Sequence, residues 1–309
     1  MLRLPEAIKP NATIGLICPA GGFENYKPIN RVIKYLRKLG YNVKLGNSII
    51  SFPSSNNAYK YLSGSDKNRL LDLVKFWNDI SVDAIFCLRG GYCSLRLLRS
   101  IDFKRFQSNN KILLGFSDIT ALLLAFYTKT QNVTFHGPLL GKYFLNNSFV
   151  NNTSLKLMWN LLKDEKFKFS YSNKKNGIVI NPGKSSGILL GGNLSTICSM
   201  LGNEFLPNFK NSILFLEDCN EELYKLDRYL TQLDNAGVFN NVSGLIFSSF
   251  ENCKLRNKNE MVALIDDKVK KYKVPTIYRF PIGHGVLNYT VPIGARVILD
   301  ANNLILKSY

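Results

Sequence analysis

Histidine is almost missing from this chain. Of 309 residues only His136 and His284 are histidine, so any imidazole chemistry has two candidates. The six cysteines include no Cys-x-x-Cys pair and have no histidine cluster near them. That argues against a zinc site and against a disulfide framework. No apolar run reaches the roughly 18 residues of a membrane-spanning helix. A P-loop and a Gly-x-Gly-x-x-Gly turn are both absent, so the usual nucleotide-phosphate signatures are missing. Acid is scarce relative to base: 22 Asp and Glu against 40 Lys and Arg, a formal charge of +18. The basic residues are spread along the whole chain, with no arginine-rich or aromatic-basic module. Nucleic acid is therefore not the expected partner, although a positive field still favours an anionic substrate.

What is present describes an ordinary globular protein, 46% hydrophobic and long enough for two modest domains. The first residues, MLRLPEAIKPNATIGLICPA, carry a short apolar part broken by proline. They read as a first strand rather than a signal peptide, which makes the cytoplasm the expected compartment. Several cysteines sit in apolar runs, as small core residues do.

Strand and helix patterns alternate through the first half. Strands are expected at Thr13–Cys18, Asn42–Leu45, Asp83–Leu88, Ile112–Phe116 and Val133–His136. Helices are expected at Pro28–Leu39, Asp66–Trp77, Ser94–Arg99 and Asp118–Lys129. Such alternation implies an α/β fold with a parallel sheet covered on both faces. Ligands of such sheets bind beyond the carboxyl ends of the strands. The pairs Gly21–Gly22 and Gly90–Gly91 and the residue Ser117 fall there. Residues 146–186 are rich in Asn, Ser and Lys, with one helix near Ser154–Leu162. The domains are accordingly set at 1–150 and 187–309, with 151–186 as a connecting segment. In the second half, strands are expected at Gly187–Leu190, Ser212–Leu216 and Val242–Phe247. Helices are expected at Leu194–Leu201, Glu221–Asn235 and Lys258–Lys271, and a hairpin over Arg296–Asp300 and Asn303–Lys307.

The stretch KILLGFSDITALLLAFYT, Lys111 to Thr128, puts Ser117 at a strand-to-helix elbow. Unsatisfied N–H groups at a helix start favour negative charge, which suits a nucleophile in acyl transfer. The second glycine of the Gly-x-Ser-x-Gly elbow is replaced by Ile119, so this is not the usual lipase-type turn. Of the two candidate bases, His284 lies between glycines on a loop, whereas His136 ends a buried strand. The loop position favours His284. Glu217, at the tip of an apolar strand, needs a partner there and is the candidate to orient the imidazole. Asp218 is the other candidate acid, unless it caps the next helix. The N–H of Asp118 and one from Gly90 or Gly91 are the candidate oxyanion donors. Arg89 is a candidate for the substrate carboxylate. Cys93, just past Gly-Gly-Tyr, is a rival nucleophile.

Taken together these segments resemble the serine LD-carboxypeptidases, or muramoyltetrapeptide carboxypeptidases, and the related microcin C immunity peptidases. The motifs are Cys-Pro-Ala-Gly-Gly at 18–22, Arg-Gly-Gly-Tyr at 89–92 and Gly-Phe-Ser-Asp-Ile-Thr-Ala-Leu at 115–122. His-Gly-Pro at 136–138, Gly-Gly-Asn-Leu-Ser at 191–195, Leu-Glu-Asp at 216–218 and Gly-His-Gly at 283–285 complete the set. The resemblance implies a flavodoxin-like N-terminal domain, a smaller C-terminal α/β domain, and a triad of Ser117, His284 and Glu217 between them. It also implies a cytoplasmic, metal-free, cofactor-free homodimer that releases the terminal D-alanine of murein tetrapeptides in peptidoglycan recycling. Where the family usually has Gly-Gly-Tyr-Gly, this chain has Cys93, which is strained if the site needs a positive φ there. Two other readings stand beside this one. A microcin-type peptidase would use the same triad on an aminoacyl-nucleotide mimic, with an aromatic clamp in the second domain; tryptophan, however, is absent after Trp159. A non-catalytic small-ligand-binding protein would leave Ser117 unlabelled by serine-reactive probes.

Overall fold

A computed structural model describes residues 2–50, 61–145 and 152–309. The first half builds β1 (Thr13–Ile17), α1 (Lys27–Lys38), β2 (Asn42–Leu45), α2 (Asp66–Asn78), β3 (Ala84–Cys87), β4 (Ile112–Gly115), α3 (Thr120–Thr130), β5 (Thr134–His136), α4 (Leu140–Leu145) and α5 (Asn152–Leu162). Its five strands are parallel, in the order β5-β4-β3-β1-β2. This is the flavodoxin-type order, with the crevice at the strands' carboxyl ends. The local reasons are plain. Every residue of β3 and β4 is buried, as expected of strands covered on both faces. In α1, Pro28 pre-sets the first turn, and Ile29, Val32 and Leu36 form the buried stripe. Ser65 caps α2, its hydroxyl accepting from the Asn68 N–H.

The second half builds β6 (Ser170–Ser172), β7 (Ile178–Asn181), β8 (Lys184–Asn193), α6 (Leu194–Ser199), β9 (Ser212–Cys219), α7 (Leu223–Asn235), β10 (Gly244–Glu251), α8 (Lys258–Val269), β11 (Thr276–Tyr278), β12 (Val291–Ile293), β13 (Arg296–Asp300) and β14 (Ile305–Ser308). Its sheet has the order β6-β14-β13-β8-β9-β10-β11-β7, parallel from β8 to β11 and antiparallel outside them.

Three differences from the sequence pattern matter. The segment expected to connect the domains supplies β6 and β7, which close the two edges of the second sheet. Its polar composition is that of exposed edge strands, and polar edges discourage further pairing. The expected boundary at 150/151 lies outside the described residues. β12, a Val-Pro-Ile segment with no alternating pattern, leaves the second half and pairs antiparallel with β5 at the edge of the first sheet. Edge placement is what its proline requires. β9 runs on to Cys219 rather than ending at Leu216, so Glu217 and Asp218 lie within the sheet.

Helix α3 is apolar on all sides, and Thr120 through Phe126 are buried. A helix of that kind belongs in an interior. It packs on β4 and β5 on one side and on β8 and α6 on the other. Thr120 joins the halves directly: its Oγ1 accepts from the Asn193 N–H at 3.0 Å. Thr120→Val keeps the shape and strands that buried donor. The expected cost is about 1–3 kcal/mol, measurable as a lower urea midpoint with an unchanged slope.

Candidate active site

Ser117 follows β4 as the first residue of a single 3-10 turn, Ser117–Ile119, which leads into α3. Its φ is +64°. A non-glycine residue in this left-handed region is uncommon and strained, and such strain collects at functional sites. The turn is packed tightly from below. An added Cβ at Gly115 would lie 2.6 Å from Ile119.

The other two residues come from the second half. Glu217 is fully buried, and the His284 side chain is 8% exposed. Glu217 Oε2 lies 2.6 Å from His284 Nδ1, and His284 Nε2 lies 3.1 Å from Ser117 Oγ. The line of contacts serine–imidazole–carboxylate is therefore complete across the two halves. Burial alone would lower the His284 value; the carboxylate of Glu217 outweighs it and holds the imidazole above the ordinary histidine range. Burial would raise the Glu217 carboxyl in the same way, and the charge on His284 outweighs that and holds it down. The Nδ1–H tautomer donates to Glu217 and leaves Nε2 free to accept from Ser117.

The glycines around His284 have specific work. Gly283 has φ +104°, and a Cβ there would lie 2.4 Å from Glu217 Oε2, so only glycine lets the loop close over the carboxylate. Its N–H donates to Asn288 Oδ1 at 2.9 Å, and the Gly285 N–H donates to Ser249 Oγ at 3.2 Å. The edge of Phe116 meets the His284 ring at 4.8 Å between centroids. Neither Asn288 nor Ser249 carried a signal in the sequence, because each is defined only by what the folded loop brings to it. Cys219 was also missed: it lies beside the His284 ring and lines the same cleft as Ser117.

The second candidate acid stands elsewhere. Asp218 accepts from the Ser195 N–H and from Asn193 Nδ2, both at 2.9 Å. It anchors the start of α6 and does not reach His284. Nor does it cap α7, whose N-cap is Glu222.

The glycine loop after β3 lies against Ser117. A Cβ at Gly90 would be 3.0 Å from Ser117 Cβ and 3.1 Å from its Oγ. The Gly90 carbonyl is occupied by the Gly21 N–H at 2.9 Å. The N–H groups of Gly90, Gly91 and Asp118 are not engaged by turn or loop hydrogen bonds among the described residues. The Asp118 carboxylate does a different job. It accepts from the Cys93 and Ser94 N–H groups at 3.0 and 2.8 Å, tying the glycine loop to the Ser117 turn. Cys93 stands apart from both histidines in these contacts, and the thiol that acts electrostatically on the His284 imidazole is that of Cys219.

The cleft holding Ser117 has a volume of about 930 Å³. Arg96, Arg99 and Lys225 line it together with Asp118, Asp218 and Glu221, and Arg89 is not among the lining residues. Arg89 donates to the Gly22 carbonyl and lies over the Phe23 ring, 5.7 Å from its centroid. It braces the two glycine loops. Among the described residues no cluster of His, Cys, Asp and Glu is arranged to hold a metal, and no helix is long and apolar enough to cross a membrane.

Cys93 has φ +73°, the conformation that makes a side chain there unfavourable. Cys93→Gly is expected to raise stability by about 0.5–1 kcal/mol, the strain relieved less the added freedom of the unfolded chain. Urea unfolding of the two proteins checks this.

Comparison with known proteins bears on the family and the fold. Residues 14–137 match the LD-carboxypeptidase N-terminal domain, and residues 186–299 match the LD-carboxypeptidase C-terminal domain. A probable murein peptide carboxypeptidase of Bacillus subtilis is 32% identical over 302 residues, covering 96% of this chain and 91% of that protein. The microcin C7 self-immunity protein MccF of Escherichia coli is 27% identical, covering 87% of this chain and 86% of that protein. The solved structure of an MccF-like protein from Bacillus anthracis superposes with a TM-score of 0.89 at 25% identity, over 99% of both chains. With both domain models matched in order and the two-domain α/β fold shared, this chain belongs to the LD-carboxypeptidase family and is a carboxypeptidase.

Proposed function

We propose that the chain is a serine-type LD-carboxypeptidase that removes the terminal D-alanine from murein tetrapeptides in peptidoglycan recycling. The observation that carries this reading is the unbroken contact line from Ser117 through His284 to a buried Glu217, at 3.1 and 2.6 Å. His284 Nε2 takes the Ser117 proton as Oγ attacks the carbonyl carbon of the scissile amide. Glu217 fixes the tautomer and balances the imidazolium that forms. The N–H groups of Asp118 and of Gly90 or Gly91 are assigned to the oxyanion. The imidazolium returns its proton to the leaving amine, the C–N bond breaks and D-alanine departs. Water, activated by the same imidazole, then hydrolyses the acyl-serine ester. Arg99 in the cleft lining is a basic side chain able to meet a substrate carboxylate. The enzyme works in the cytoplasm as a homodimer on peptides returned from the wall.

A second reading has its own support in the MccF-like neighbours: the same residues acting on an aminoacyl-nucleotide mimic. Mass spectrometry separates the two. Purified protein should take one alanine from the murein tetrapeptide, leave the pentapeptide intact and leave the nucleotide mimic uncleaved. Cleavage of the mimic alone would reverse the assignment.

Two outcomes test the mechanism. Ser117→Ala should lower tetrapeptide hydrolysis by about 10⁴-fold or more with binding retained; unchanged hydrolysis would remove Ser117 from the reaction. The working base is neutral imidazole, and its proton affinity is raised, so activity is full above the folded value and lost as pH falls through it. The acid limb of kcat/KM should therefore lie above about 6.5. Glu217→Gln should move that limb down while lowering kcat by about 10³–10⁴-fold.

A further inference from the structure

A second cavity adjoins the His284 loop and takes no part in the mechanism above. Its volume is about 490 Å³, within the range of small-molecule sites. It lies at the carboxyl ends of β10 and β11, where ligands of parallel sheets bind. Loop residues 285–287 form another side. The two cavities are neighbours. Glu251, which lines the second, is the ladder partner of Cys219, which lines the Ser117 cleft. The Asn220 N–H, on the cleft side, donates to the Glu251 carbonyl at 2.9 Å.

Three polar side chains of this cavity are unused. Ser248 is fully buried, and its Oγ has no hydrogen-bond partner among the described residues. A buried hydroxyl is rarely left so, and it offers an entering group both a donor and an acceptor. Glu251 and Arg279 carry opposite charge, yet among the described residues neither forms an ion pair, with the other or with a third group. Burial raises the Tyr278 phenol, and Arg279 and Glu251 then act on it in opposite senses, so both charges stand near one ring of the lining. Each is held in place. A Cβ on Gly285 would lie 3.4 Å from Glu251 Oε1, so the carboxylate rests against the His284 loop. Arg279 has φ +64°, and its carbonyl accepts from Asn173 Nδ2 at 2.6 Å. Val286 adds an exposed apolar side chain to the rim.

We infer that this cavity is a second binding subsite and that it takes an α-amino carboxylate zwitterion. Glu251 receives the ammonium, Arg279 the carboxylate, and Ser248 a further hydrogen bond. An acid and a base held apart in one cavity match a head group that carries both charges. A ligand of one sign leaves one of them unpaired. Two sources present that head group. One is the free end of a diamino dicarboxylic side chain in the residue before the scissile bond, with Val286 covering its methylenes; this source rests on the murein reading. The other is a free amino acid, such as the alanine that the reaction releases.

Calorimetry and peptide kinetics test the site and separate the sources. Free meso-diaminopimelate should bind, whereas cadaverine and pimelate, which each carry charge of one sign, should bind about 10-fold more weakly or worse. Arg279→Gln and Glu251→Gln should each weaken diaminopimelate by about 10-fold, and Arg279→Lys should recover part of that loss. Where the peptide supplies the head group, kcat/KM should be about 10-fold higher with diaminopimelate before the D-alanine than with lysine there, through KM. Arg279→Gln should bring that ratio near 1. Where the free amino acid is the occupant, the ratio is near 1 in the unaltered chain, and D-alanine binds with the same dependence on Glu251 and Arg279. The inference is overturned if diaminopimelate binds no better than cadaverine or pimelate, or equally well to both Gln variants. Should a variant not fold, the comparison of ligands on the unaltered chain decides alone. If no tetrapeptide is cleaved while the zwitterion still binds, the murein reading fails and the subsite stands.

Discussion

A carboxylate with no access to water organises the centre of this molecule. Glu217 lies within a sheet strand and is fully buried. An ionised carboxyl there is tolerable only with close, well-aligned partners. His284 is that partner, through its ring at 2.6 Å and its own backbone N–H at 3.3 Å. The demand propagates outward. The loop carrying His284 must pass so near the carboxylate that glycine alone fits at 283. Asn288 and Ser249 then hold that loop by its backbone. The charge that makes the imidazole a strong proton acceptor is thus the same charge that fixes where the loop lies.

The first domain meets this arrangement with a strained turn. Ser117 sits at positive φ between a packed strand end and a 3-10 turn, and the glycine loop at 90–91 presses against it. Asp118 ties the two loops by accepting from two N–H groups of the second. Cys93 closes the loop in a conformation it fits poorly. The strain is stored beside Ser117, and the buried hydrogen bonds and the core beneath hold it in place.

The halves are not two beads on a string. Helix α3 is buried between the sheets, β8 ends against Thr120, and β12 returns from the second half to extend the first sheet. Ser117 belongs to one sheet and Glu217 to the other, so the 3.1 Å contact at the imidazole depends on that docking. An enzyme assembled this way loses geometry when the halves shift by an ångström, which is ample to change a proton transfer.

Local patterning was enough for much of this. Alternating strand and helix periods, with apolar runs too short for a membrane, specify a parallel α/β sheet, because both periods follow from backbone geometry. The elbow at Ser117 was legible because an apolar strand runs straight into an apolar helix. The scarcity of histidine reduced the imidazole to two residues, and the glycines around His284 separated them. Tertiary structure decided the rest. Glu217 and Asp218 are adjacent and chemically alike, yet pleating sends one to His284 and the other to α6, since successive strand side chains face opposite ways. The edge strands at 170–172 and 178–181 and the return of 291–293 exist only through partners distant in the chain. Arg89 as a brace is likewise a product of close packing between distant segments, which no local period encodes.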